Sequence, residues 1–99
     1  MPQENADDEF DPVVELHRQL RATEELPVAR EAGWRLGEAQ ALAADIATGD
    51  VDDDVVRRRA EEIGELLAGI DGTEDPEADD HVDAARELAD RIASRSPDG

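Results

Sequence analysis

Apolar residues spaced three and four apart constrain this chain more than any other feature. Val56, Ala60, Ile63, Leu67 and Ile70 form an unbroken 4-3-4-3 series. That is one face of an α-helix; a strand face would repeat every second residue. Ala78, Val82, Ala85, Ala89 and Ile92, with Leu88 beside them, repeat the pattern. So do Val28, Ala32, Leu36, Ala39, Leu42 or Ala43, and Ile46. Val13, Leu16 and Leu20 show it over a shorter span. The spacing predicts four amphipathic helices and no internal repeat.

The breaks between stripes carry helix-terminating residues. Asp11-Pro12 and Asp75-Pro76 each set an N-capping carboxylate before a proline at the first helical position. The first helix is predicted to end near Thr23 or Glu24. The second is predicted to start around Leu26-Pro27 and to end at Gly49, a natural C-cap. The third should follow Asp52, with two further acids in its first turn, where the helix dipole favours negative charge, and should end at Gly72. Short connections make successive helices antiparallel. Helices of this length are marginal alone, so packing must stabilise them. The expected fold is all-α: an up-down antiparallel bundle of four helices over residues 11–94. The fallback is a three-helix core plus a short N-terminal helix. Residues 1–10 and 95–99 are predicted to be disordered tails.

Composition narrows the function classes. The chain has 99 residues, with 28 Asp or Glu against ten Arg and no Lys, for a formal net charge of −18. Leu, Ile, Val and Phe total only 20, but 16 alanines favour helix. Phe10 and Trp34 are the only aromatics, which disfavours a sheet. The absence of cysteine excludes disulfides, zinc-thiolate sites and thiol catalysis. The acidity argues against direct nucleic-acid binding through phosphates. No apolar run approaches the roughly 18 residues of a membrane span, and no signal-peptide pattern opens the chain. At ordinary ionic strength such charge should push a compact state apart. At molar salt the screening length falls to about 3 Å and the repulsion largely disappears. The expected setting is therefore a high-salt cytoplasm. The sharper alternative is an acidic mimic of nucleic acid, modulating a nucleic-acid-binding protein.

Two segments carry a resemblance: Leu16-His17-Arg18-Gln19-Leu20-Arg21-Ala22-Thr23-Glu24-Glu25-Leu26-Pro27-Val28 and Gly72-Thr73-Glu74-Asp75-Pro76-Glu77-Ala78-Asp79. They resemble small uncharacterised proteins of extremely halophilic archaea, classed as a domain of unknown function. The likeness covers most of residues 11–93. It implies a cytoplasmic archaeal protein and brings no catalytic residues with it.

Trp34 opens the search for a site. With Val28 as origin and 100° per residue, the core stripe of the second helix lies within about 80°, and Trp34 falls near 240°. Gly33, Gly37, Ala41, Ala44 and Thr48 lie on its side, giving this helix a second face of small residues. Two interior glycines cost about 1 kcal/mol each relative to Ala, and close helix approach would compensate. Either the first helix covers this face, making the second helix central, or Gly33, Trp34, Gly37 and Ala41 form a dimer or partner surface. Tryptophan is enriched among interface hot spots.

Other features point to structure more than chemistry. Asp50, Asp52, Asp54 and Glu61 fall at EF-hand positions 1, 3, 5 and 12. The required glycine is replaced by Val55, and Arg57, Arg58 and Arg59 would repel a cation. An N-capping acidic cluster is expected instead. His17 and His81 lack any metal-ligand spacing. The three arginines suit ion pairs such as Arg57–Glu61 and Arg58–Glu62. Serine occurs only at Ser94 and Ser96, and the glycines form no phosphate loop. No catalytic residue, cofactor site or metal site is assigned. The expectation is a non-enzymatic helical domain that binds an unidentified protein or a second copy of itself. A weak metal- or ligand-binding bundle is a further alternative.

Overall fold

The computed structural model describes residues 11–48 and 51–94. The tails expected at 1–10 and 95–99, and the Gly49 cap, lie outside the described residues. Four α-helices follow in order, with no strand among the described residues: α1 (Pro12–Ala22), α2 (Arg30–Thr48), α3 (Asp53–Ala68) and α4 (Pro76–Ala93). A short 3-10 turn (Thr23–Glu25) extends α1.

Both aspartate–proline starts behave as their chemistry requires. The Asp11 carboxylate accepts the Val13 N–H at 2.9 Å. Asp75 accepts the N–H groups of Glu77 and Ala78. Each proline sits where a missing N–H costs nothing.

Two predicted boundaries shift. The second helix begins at Arg30 rather than around Leu26-Pro27. Leu26, the residue before a proline, is extended at φ −100°, ψ 148°. Beyond it, the Val28 N–H turns back to the Leu26 carbonyl at 2.9 Å. The third helix ends at Ala68 rather than Gly72, with Gly69 as its C-cap. A Cβ on Gly69 would lie 2.5 Å from the guanidinium carbon of Arg35, so this close approach needs glycine unless Arg35 moves. Gly72, at φ 136°, instead turns the connection onward, followed by Glu74 at φ 72°.

The helices form a closed ring of neighbours. α1 and α3 each pack against both α2 and α4. Side-chain contacts fix the antiparallel sense. Gln19, late in α1, meets His81, early in α4, and Arg35, early in α2, reaches the carbonyl of Leu66, late in α3. The core takes one stripe from each helix. Leu16, Leu20, Ile63, Leu67 and Ile92 are its largest fully buried apolar side chains. Each contributes about 1.5–3 kcal/mol on burial. Ala39, Ala43, Ala60 and Ala85 fill the space between them. α1 inserts Val13, Leu16 and Leu20 into this core, so the bundle has four helices and the three-helix fallback does not apply.

Arginines finish α3. Arg86 on α4 donates to the carbonyls of Leu67 and Ile70, each at 2.9 Å. Arg35 on α2 donates to Leu66 O at 3.4 Å. The Leu66 and Leu67 carbonyls also accept the Gly69 and Ile70 N–H groups, so the arginines add second donors at the helix end, where cations suit the dipole. At the same end of the bundle, the Thr73 carbonyl accepts the Ala29 N–H at 2.8 Å, tying the α3–α4 connection to the α1–α2 connection.

Candidate interaction surface on the second helix

The ring arrangement decides which way the second face of α2 points. The stripe of Ala32, Leu36, Ala39, Ala43 and Ile46 is buried. The opposite face must therefore look outward. Trp34 is 61% exposed. Gly37 and Ala41 are exposed, while Gly33 and Ala44 are half-buried. A Cβ built on Gly37 meets nothing within 4 Å. The alternative in which the first helix covers this face is thus overturned. α1 is only 11 residues long and spends its apolar stripe on the shared core.

A groove lies between α2 and the α1–α2 connection, and Trp34 does not line it. Gly33 and Gly37 form its floor, with Leu36, and Leu26, Val28 and Gln40 line its sides. Its volume is about 260 Å³. The wall from the α1–α2 connection is held by a hydrogen bond from Gln40 to the Glu24 carboxylate. Val28 Cγ2 lies 3.4 Å from where a Gly33 Cβ would be, so Gly33 allows the wall to come close. Of the four sequence-predicted residues, Gly33 and Gly37 line this hollow, and Trp34 and Ala41 do not.

A second groove, between α3 and α4, was not anticipated. Ala60, Gly64 and Ala68 on α3 and Ala89 and Ala93 on α4 line it, and its volume is about 420 Å³. Glu61, Glu65, Asp90 and Arg86 surround it. Its signal was in the sequence: Ala60, Gly64 and Ala68 recur every fourth residue.

The remaining candidates lie elsewhere on the bundle. Asp52 takes the N-cap position of α3 in extended geometry, but its side chain makes no capping hydrogen bond. Asp54 pairs with Arg57, and Arg59 with Glu62 at 3.2 Å. These pairs span three residues, unlike the four-residue pairs expected. Asp50 lies outside the described residues. His81 Nδ1 donates to Gln19 Oε1 at 2.7 Å, and Gln19 donates to Glu15 at 3.0 Å, so His81 links α4 to α1. His17 lines a surface groove with Val14, Arg18 and Arg21. Among the described residues, no group of three or more His, Asp or Glu side chains is placed to hold a metal. None of the described helices is long and apolar enough to cross a membrane.

One carboxylate stands apart electrostatically. The backbone N–H of Thr73, and then its hydroxyl, hold Asp79 below the usual carboxylate range. Thr73 is fully buried. The sequence reading missed this pair, because nothing in a lone Thr-x5-Asp spacing marks it.

Comparison with known families gives a match to a model described as a domain of unknown function (DUF8152), over residues 12–98. No curated protein matches the chain, and no solved structure does.

Proposed function

The chain belongs to the DUF8152 family, a domain of unknown function, and from that premise we propose that it is a non-enzymatic helical module that binds a protein through the Trp34 face of α2. The partner is an unidentified protein or a second copy of the chain. The observation that carries this reading is the exposure of the only tryptophan, at 61%, on the helix whose Gly33 and Gly37 line a groove of mixed polarity. An exposed indole is the kind of side chain enriched at interaction hot spots. Burying that ring on a partner would also compensate the helix propensity lost at Gly33 and Gly37. The acidic, lysine-free composition supports a high-salt archaeal cytoplasm as the working environment. No catalytic, cofactor or nucleic-acid role is proposed.

The test compares wild type with Trp34→Ala in molar KCl. Sedimentation across a concentration series reads self-association, and affinity capture from a high-salt lysate reads partners. Trp34→Ala should abolish whichever association the wild type shows. Association unchanged by Trp34→Ala would remove this face from the proposal.

A further inference from the structure

The connection from α3 to α4 is pinned at both ends and unbonded in its middle. On one side Arg86 Nη2 donates to the Ile70 carbonyl at 2.9 Å. On the other, Asp79 accepts the Thr73 N–H at 2.9 Å and the Thr73 hydroxyl at 2.8 Å. Asp71 and Gly72 lie between these anchors, and both are exposed. Among the described residues, no hydrogen bond engages the Gly72 N–H or the Asp71 carboxylate. Gly72, at φ 136°, has nothing within 4 Å of where a Cβ would stand. The pair lines an open hollow of about 380 Å³.

A carboxyl group thus stands beside a backbone nitrogen that nothing shields. A bond from the Gly72 nitrogen to Asp71 Cγ closes a five-membered ring. A side chain on the following residue hinders that approach, and glycine has none. Asp71 is the only described aspartate followed by glycine. Asp11 and Asp75 precede prolines, whose nitrogen has no hydrogen to lose. Aspartates within the helices are held by the regular hydrogen-bond ladder, which keeps the backbone from closing the ring.

We propose that Asp71–Gly72 is a site of spontaneous covalent modification, at which Asp71 isomerises to isoaspartate through a succinimide and so releases the Thr73 anchor at the start of α4. The Gly72 nitrogen attacks Cγ of the protonated Asp71 carboxyl. The carboxyl hydroxyl departs with the nitrogen's proton as water. Water then adds to one of the two imide carbonyls. Opening at Cγ restores aspartate. Opening at the main-chain carbonyl leaves the Cγ–N bond as the new chain link and a free carboxyl on Cα. One water is lost and one gained, and the step uses no oxidant or cofactor.

The two anchors set the consequence. In the isomer the main chain runs through Cβ and Cγ, which inserts one extra atom between Ile70 and Thr73. The Thr73 hydroxyl is tied to both Asp79 and the Asp75 N–H, a geometry that the longer chain pulls apart. A displaced Thr73 carbonyl also gives up the Ala29 N–H.

The test ages the full chain in molar KCl and cleaves it after arginine. Residues 60–86 then form one peptide, and Asp98–Gly99, the other aspartyl–glycine pair, falls in another. Electron-transfer fragmentation reads the isomer at each position. Isoaspartate is expected at residue 71 of the folded protein, at a rate within about threefold of that in the same chain unfolded in urea, since an exposed, unbonded segment reacts without global unfolding. Asp79, Asp80 and Asp83 in the same peptide should stay aspartate. The purified isomer should melt below fresh protein, and its melting temperature should vary less across the acid range, because Asp79 has lost Thr73. Asp71→Glu keeps the charge but needs a six-membered ring, so its melting temperature should not fall with age. The proposal is overturned if residue 71 stays unmodified in the folded chain over a time in which the unfolded chain isomerises. It is equally overturned if the isomer melts as fresh protein does, or if Asp71→Glu loses stability on ageing as wild type does.

Discussion

One carboxylate oxygen of Asp79 receives both the backbone N–H of Thr73, at 2.9 Å, and the Thr73 hydroxyl, at 2.8 Å. The same hydroxyl lies 2.9 Å from the Asp75 carbonyl and accepts the Asp75 N–H at 3.1 Å. Thr73 therefore anchors the start of α4, and through its own carbonyl it anchors Ala29. Folding lowers the pKa of Asp79 from 3.8. The unfolded chain then binds more protons over the interval below 3.8, so stability rises with pH there. The contribution is complete above 3.8 and is lost as pH falls through the folded value. Thr73→Val removes the buried hydroxyl and should cost about 1–2 kcal/mol near neutral pH. It should also flatten the acid limb of the melting curve against pH. Thermal melts followed by circular dichroism across the acid range check both effects; an unchanged acid limb would mean that the Thr73 hydroxyl adds nothing to the backbone N–H, which Thr73→Val retains.

Arg86 should matter more than its surface position suggests. It satisfies two carbonyls at the end of α3, and its side chain is 41% exposed. Arg86→Ala removes the arginine bond from Leu67 O, which keeps the Ile70 N–H, and from Ile70 O, and should destabilise the chain by about 1–2 kcal/mol, less than a fully buried charged hydrogen bond would. Arg86→Lys should recover only part of that, since both bonds come from one nitrogen, Nη2, held in place by a planar group that an ammonium lacks. Urea unfolding in molar KCl measures the difference.

Gly37 gives a change of opposite sign. With open space where its Cβ would be, Gly37→Ala should stabilise α2 by about 0.8–1 kcal/mol. Gly37→Leu should also melt higher than wild type. A lower melting temperature for Gly37→Ala in a monomeric sample would mean that the face is packed after all.

Salt should govern folding. The charge of −18 rests on a core rich in alanine, so helicity should climb steeply between low and molar KCl as repulsion is screened. Far-UV circular dichroism across a KCl titration tests this. Full helicity and an unchanged melting temperature at low salt would count against it.

The acidic run around Asp52, Asp53 and Asp54 should not hold a specific cation. Asp53 and Asp54 occupy the first turn of α3, and Asp54 is engaged by Arg57. Calorimetric titration with Ca²⁺ in molar KCl should show no tight site. A saturable site lost on Asp52→Ala would reverse this assignment.

The core was legible because burial and helical period are linked. Val56, Ala60, Ile63, Leu67 and Ile70 had to share a side, and all five are buried. The two aspartate–proline starts were legible because capping is a local hydrogen bond within three residues. The end of α3 was not, since the guanidinium that packs there comes from Arg35, a residue 34 positions earlier in the chain than Gly69. The Thr73–Asp79 pair was hidden for a similar reason: its value depends on the burial of Thr73, which only packing sets.

The two faces of α2 show the division most clearly. Sequence alone determined that Gly33, Trp34, Gly37 and Ala41 lie off the core stripe, because side-chain direction follows from the turn angle of the helix. It left two possible covers for that face, since amphipathic period says which residues share a side and nothing about what stands opposite. Tertiary structure decided this by closing the helices into a ring in which α1 spends its apolar stripe on the shared core. The small-residue face was thereby left open, with Trp34 at its edge. Local periodicity is written into each segment; the choice of neighbour belongs to the packing of all four helices together.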